Sequence, residues 1–152
     1  MTEDDYQRFT VWAKEDYARQ QVRAGAWRPE EAEGLARQAF EALLPEGLST
    51  PSHFLYVVER EEDGEKVGYP WCGIREEGES RSMVLYDLLI LETYRRLGYG
   101  SGALEALERQ AREVGMERVI LHVFGHNEGA RALYRKMGYT ERNVTMVKEL
   151  VG

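Results

Sequence analysis

An α+β fold with a mixed sheet is what this sequence predicts, and three observations lead there. Two amphipathic helical segments come first, three strand-like segments follow in direct succession, and only then do strands and helices alternate, giving the order ααβββαβαβ. A doubly wound parallel sheet would alternate throughout. With 152 residues, 43% hydrophobic and 31% charged, the chain fits a single domain over residues 1–152 and can hide roughly 68–70% of its unfolded surface.

The elements follow in order from residue spacing. Tyr6, Phe9, Ala13 and Tyr17 share one face of a helix over about the first 25 residues, Thr2 and Asp5 are spaced as a capping box, and Gly25 stops the helix. Pro29 with Glu30 and Glu31 opens a second helix that carries Leu35, Phe40, Leu43 and Leu44 and ends around Pro45 and Gly47. His53–Arg60 and Val67–Arg75 are rich in β-branched and aromatic residues and flank a polar stretch containing Asp63-Gly64, which predicts a hairpin. Met83–Leu91 is a nearly continuous apolar run broken only by Asp87, as expected of a strand buried on both faces at the sheet centre. Gly98–Val114 is a helix with Leu104, Leu107 and Ala111 on one face, Glu117–Phe124 a strand, and Asn127–Met137 a short helix stopped by Gly138. Val144–Leu150 is a last strand whose open edge would pair with a second subunit in a homodimer.

Composition excludes several classes of function. No apolar run approaches the roughly 18 residues of a membrane span, and the start Met-Thr-Glu-Asp-Asp is acidic where a signal peptide is basic, so the expectation is a soluble, cytoplasmic protein with no membrane partner. Cys72 is the sole cysteine, which removes intrachain disulfides and cysteine-rich zinc sites. Twenty Lys and Arg against 27 Asp and Glu leave a formal charge of −7, which repels phosphate backbones and argues against a nucleic-acid partner. An anionic ligand must therefore be held by a local site.

One segment supplies such a site. Leu88-Leu89-Ile90-Leu91-Glu92-Thr93-Tyr94-Arg95-Arg96-Leu97-Gly98-Tyr99-Gly100-Ser101-Gly102 runs from buried strand through a polar turn into a glycine-rich loop and a helix. Glycine lets backbone approach a ligand closely, the first helical turn offers unpaired N–H groups, and the macrodipole adds about half a positive charge there. Arg95 and Arg96 contribute full charges beside it. A mononucleotide P-loop is excluded because the loop contains no lysine, and a dinucleotide fingerprint because Ala103 stands where its third glycine belongs.

The pattern Arg95-x-x-Gly98-x-Gly100 resembles motif A of the GNAT superfamily, the GCN5-related N-acetyltransferases, which grips the pyrophosphate of acetyl-coenzyme A. About 30 residues on, the stretch from Leu121 to Tyr139, with Asn127, then Ala130-Arg131-Ala132-Leu133-Tyr134, then Gly138-Tyr139, is similar to the family's motif B. Glu92, Arg96 and Leu97 depart from it, standing where many members have Pro, Gly, and Lys or Arg. The resemblance implies a mostly antiparallel sheet flanked by helices, with a V-shaped splay between two central parallel strands. It also implies acetyl-CoA as cosubstrate and no metal. The pantetheine arm would lie in the splay against main-chain groups of Leu88, Leu89 and Ile90. Arg95, Arg96, Leu97, Gly98, Tyr99, Gly100 and Ser101 would hold the diphosphate, and Asn127 the arm. Tyr134, with its hydroxyl near the sulfur, would protonate the departing thiolate, as a phenol of pKa near ~10 can.

The base that deprotonates the acceptor amine is less clearly written. Asp87 sits beside the expected thioester, where burial would raise its pKa toward useful basicity, and it reads equally as a structural hydrogen-bond acceptor. Glu92 falls toward the pyrophosphate loop, His122 and His126 lie at a strand end, and a water chain would serve in their place. The expected activity is acetyl transfer from acetyl-CoA to a primary amine of a small molecule or protein. Its acceptor would sit near the two N-terminal helices and the hairpin around Tyr69 and Trp71; the alternative is a non-catalytic acyl-CoA binding module of the same fold.

Overall fold

The structure, a computed structural model, describes residues 1–151; Gly152, the last residue of the expected domain, lies outside them. Helix α1 spans Glu3–Arg23 and α2 spans Pro29–Leu43. Strands β1 (His53–Leu55), β2 (Val58–Glu59), β3 (Lys66–Glu77) and β4 (Ser80–Ile90) follow, then α3 (Tyr99–Glu113), β5 (Arg118–Leu121) and α4 (Glu128–Lys136). The sheet order is β1-β3-β4-β5, with β2 also on β3; every pairing is antiparallel except β4 with β5, which is parallel.

The predicted capping box starts α1: Asp5 N–H donates to Thr2 Oγ1 at 3.1 Å and Thr2 N–H to Asp5 Oδ2 at 2.9 Å. Gly25 follows its end at φ +78°, a conformation glycine adopts without the Cβ penalty. Phe9 and Ala13 are buried, while Tyr6 and Tyr17 pack at the rim of the same cluster. Pro29 opens α2, whose buried face is Ala32, Ala36 and Phe40; Leu43 is exposed, and Leu44 just past the helix is buried in its place. These helices cover one face of the sheet through Leu55, Tyr69, Trp71 and Leu89. On the other face α3 packs Leu104, Leu107 and Ala111 against Cys72, Met83 and Leu85.

A salt-bridged carboxylate ties α1 to the sheet. Asp5 is fully buried, accepts from Lys66 Nζ at 3.0 Å and from the Tyr69 hydroxyl at 3.3 Å, and keeps its capping bond. The Thr2 amide bond, with Lys66, holds its carboxyl far below the ordinary 3.8 despite burial. Asp5→Ala is expected to cost about 2–4 kcal/mol, since it orphans Lys66 and Tyr69 and deletes the side-chain half of the capping box, the bond from Thr2 N–H. Because the folded-state pKa is depressed, the wild-type contribution is present above the ordinary carboxylate range and lost as pH falls below it. Urea melts of wild type and variant should therefore converge in acid.

Three sequence expectations are corrected. His53–Arg60 is two short strands, β1 and β2, because only alternate stretches of it reach β3. The strand expected over Glu117–Phe124 stops at Leu121, the chain bending away to pack Phe124 on Tyr17. Val144–Leu150 forms no strand: it has no pairing partner, and Val144, Met146, Val147 and Leu150 are 69–89% exposed. As a result β5, expected at the centre, is an edge of the sheet.

Candidate active site in the β4–β5 splay

A β-bulge opens the site. In the β3–β4 register Trp71 faces Asp87 and Cys72 faces Leu85, so Tyr86 is the extra residue. Met83 and Leu85, two apart, point into the α3 cluster, but the next β4 residue there is Leu88, three further on. The inserted residue thereby resets the alternation at Asp87. On the other edge, pairing of β4 with β5 ends at Leu85 opposite Leu121. From Asp87 to Ile90 the strand is paired only with β3, and its second edge faces a gap.

Asp87 lies at the start of that gap. Its Oδ1 accepts the Leu88 N–H at 2.9 Å. Burial, reinforced by the negative charge of Asp16 on α1, pushes its carboxyl up to about 7. Across the gap on α4, Tyr134 is half-buried against the α3 cluster, and its phenol is raised first by burial and then by the charge of Asp87. Acid and base candidates are thus electrostatically coupled. Leu89 is buried and Leu88 and Ile90 half-buried on the strand between them and the glycine loop.

The loop itself has anion-binding geometry. Gly98 is the N-cap of α3 at φ +86°, no side chain caps the helix, and the first intrahelical bond runs from Gly102 N–H to Gly98 O at 3.1 Å. The amides of Tyr99, Gly100 and Ser101 therefore point out of the helix start without helical partners. Arg96 is also left-handed, at φ +63°. A left-handed backbone there is a conformation that suits glycine better than a residue with a Cβ. Arg95 is anchored by Nε donating to Ile90 O at 2.9 Å. A Cβ on Gly100 would sit 3.5 Å from Leu133, so the loop and α4 converge. Arg96, Leu97 and Gly98 are exposed and Tyr99, Gly100 and Ser101 half-buried. Asn127 caps α4, its Oδ1 accepting Ala130 N–H at 3.1 Å.

The remaining titratable candidates separate. Glu92 is exposed in a 3-10 turn beyond β4, and His122 is exposed with its ring edge-on to Phe124. His126 bonds the Gln20 side-chain oxygen on α1, and Gln20 donates to Asp16 at 3.4 Å. Tyr69 and Trp71, expected beside the acceptor, are core residues at 7% and 2% exposure. Asp16 and Gln20 escaped the sequence reading: they stand four apart beside the buried stripe of α1, and nothing local reveals that this helix crosses the splay. Arg60, from the β2–β3 turn, lies 5.4 Å above the Tyr94 ring and adds a cation near the loop that was not singled out either. A groove of about 930 Å³ between α1 and α2, lined by Val11, Lys14, Ala18 and Val22, opens on the face of α1 opposite Phe9 and Ala13. Among the described residues no group of His, Cys, Asp or Glu could hold a metal ion.

Gly98→Ala tests the loop directly. Its Cβ meets no neighbour, so the left-handed φ alone is penalised, by about 1–2 kcal/mol. Acetyl-CoA affinity measured calorimetrically should fall about tenfold, with little change in overall secondary structure by circular dichroism.

Comparison with known proteins agrees with this geometry. A family profile described as "Acetyltransferase (GNAT) family" matches residues 7–139. The uncharacterized N-acetyltransferase YycN of Bacillus subtilis (strain 168) is 38% identical over 150 residues, covering 99% of this chain and 96% of that protein. YdgE of the same organism, also an uncharacterized N-acetyltransferase, is 34% identical over 150 residues, covering 99% and 95%. The crystal structure of YycN superposes with a TM-score of 0.93 over 100% of this chain and 96% of that one. The chain belongs to the GNAT family of N-acetyltransferases and is an acyltransferase that uses acetyl-CoA as its cosubstrate.

Proposed function

We propose that the acceptor is a cationic primary amine, bound between α1 and the open edge of β4, and that Asp87 and Tyr134 carry the proton transfers. The observation that supports this most is the placing of Asp87. It is a carboxyl with a pKa of about 7, facing Asp16 on one side and coupled to Tyr134 on the other. Asp16 and the net charge of −7 favour a positively charged acceptor. Asp87 takes a proton from the ammonium group, and the neutral amine nitrogen then bonds to the thioester carbonyl carbon. The C–S bond breaks, Tyr134 delivers a proton to the sulfur, and the second proton leaving the nitrogen restores the Tyr134 hydroxyl. Main-chain groups of Leu88, Leu89 and Ile90 hold the pantetheine arm, and the donor end of Asn127, whose oxygen is committed to the cap, serves the same arm. Arg95, Arg96, Leu97 and the amides of Gly98 through Ser101 hold the diphosphate.

No helix among the described residues is long and apolar enough to cross a membrane, and the lone cysteine is buried; we place the enzyme in the cytoplasm. The test is a screen of polyamines, aminoglycosides, lysine peptides and peptide N-termini, following free thiol release and confirming products by mass spectrometry. Cationic amines should turn over with kcat/KM above that of neutral or acidic amines of similar nucleophilicity. Equal or reversed preference would overturn the acceptor class.

A further inference from the structure

The glycine loop is tied at both ends to a part of the fold that no motif marks. Between Tyr94, which closes the 3-10 turn after β4, and Tyr99, which opens α3, the chain runs through Arg95, Arg96, Leu97 and Gly98. Arg96 and Gly98 are left-handed, at φ +63° and +86°, and Arg96, Leu97 and Gly98 are exposed, so packing does little to fix the shape of this stretch. Its ends are fixed instead. The Tyr94 and Tyr99 rings meet edge to face with centroids 6.1 Å apart, the Tyr94 hydroxyl donates to Glu65 at 3.2 Å, and the Arg60 guanidinium lies 5.4 Å above the Tyr94 ring.

Arg60 and Glu65 bound the turn that joins β2 to β3, and that turn is held closed from within. Arg60 N–H donates to Glu65 O at 2.8 Å, Gly64 N–H to Arg60 O at 2.7 Å, and Asp63 Oδ1 accepts both Arg60 Nε at 3.0 Å and Glu65 N–H at 3.1 Å. The bond to Asp63 first, and the Tyr99 phenol second, push the Arg60 guanidinium above its ordinary 12.5, so the cation over Tyr94 is permanent. We propose that the β2–β3 turn positions the diphosphate loop, Arg60 and Glu65 clamping Tyr94 so that the amides of Tyr99, Gly100 and Ser101 are already aimed when acetyl-CoA arrives. This rests on the reading that those amides hold the diphosphate. Arg60 is a positioning residue, its guanidinium committed to Asp63 and to the ring instead of to the ligand. Cofactor binding and order in the turn are then coupled, and each favours the other by the same factor.

The test compares full-length variants by calorimetry with acetyl-CoA and by thiol release with the amine that turns over fastest. Arg60→Met should raise Kd and KM for acetyl-CoA about 5–20-fold with kcat within about twofold, and Arg60→Lys, which keeps a charge over Tyr94 but loses the planar fork, should fall between. Asp63→Asn separates a brace from a direct charge. A guanidinium that acted on the diphosphate itself would be released by this change and affinity would rise, whereas a brace is loosened by it and affinity should fall about threefold or more. Hydrogen exchange reads the coupling without catalysis: saturating free coenzyme A should slow exchange of the Gly64 and Glu65 amides in the wild type and not in Arg60→Met. Gly98→Ala keeps the two readings apart. If it weakens binding while Arg60→Met does not, the loop works unaided and the brace alone fails; if it leaves binding unchanged, the loop reading fails and the brace with it. Tighter binding by Asp63→Asn, or turn amides indifferent to coenzyme A in the wild type, would equally overturn the brace.

Discussion

Replacing Tyr134 with phenylalanine lowers kcat by about 10²–10⁴-fold and leaves acetyl-CoA affinity within about twofold. The ring keeps its packing on the α3 cluster and its edge contact with Tyr139, 5.8 Å between centroids, so only the hydroxyl is lost. That hydroxyl is held protonated at neutral pH, since burial and the Asp87 charge both raise its pKa. A phenol so raised is a poor acid in the resting enzyme. In the proposed mechanism it would improve during the reaction: once Asp87 has taken the amine proton its negative charge is gone, and with it the repulsion that disfavoured the phenolate. The acid would therefore strengthen as the thiolate departs. Steady-state thiol release together with calorimetry separates the two quantities, and a phenylalanine variant with unchanged kcat would reduce Tyr134 to a packing residue.

The lines of the fold that were legible in the sequence are those fixed by local chemistry. Thr2 with Asp5, Pro29, Gly25 and Gly138 bound their helices by caps and backbone conformation, which neighbours in sequence suffice to determine. The glycine loop was legible for the same reason: an uncapped helix start behind Gly98 is a local feature. Strand ends were not, because a strand exists only where a partner lies. Val144–Leu150 has strand-like composition and no partner strand among the described residues, and His122–Phe124 leaves β5 for a ring on α1. The bulge at Tyr86 is equally non-local. Asp87 breaks the apolar run beside it, but the apolar residues further out on both sides carry no alternation that would reveal a one-residue insertion. Asp16 acquires meaning only through the packing of α1 across that gap.

Asp87→Asn should remove activity and add stability at the same time. Asparagine keeps the side-chain oxygen that accepts the Leu88 N–H and deletes only the charge. The rate of the wild-type ternary complex should rise with pH as Asp87 deprotonates near 7, and the variant should lose that limb and about 10²–10⁴-fold in kcat, water replacing the carboxylate. Stability moves the other way. The folded pKa lies above the ordinary 3.8, so between the two values the unfolded chain binds fewer protons, and wild-type stability falls as pH rises through that window. The charged, desolvated carboxylate costs at most about 4 kcal/mol above pH 7, less where water reaches the gap, and the neutral amide escapes this cost. Tm measured at pH 8 should therefore be higher in the variant, with the difference vanishing toward pH 4. Asp16→Asn should act through the same carboxylate: without the neighbouring charge the pKa of Asp87 falls, and the limb of the pH–rate profile shifts toward acid. A carboxyl present only to receive the Leu88 amide predicts kcat intact and the pH limb retained, while the gain in Tm, which follows from the raised pKa alone, would remain. Loss of the pH limb together with the gain in Tm would make the destabilised charge and the proposed proton acceptor one property of one residue, on the stretch of β4 that follows the bulge and lacks a second partner strand.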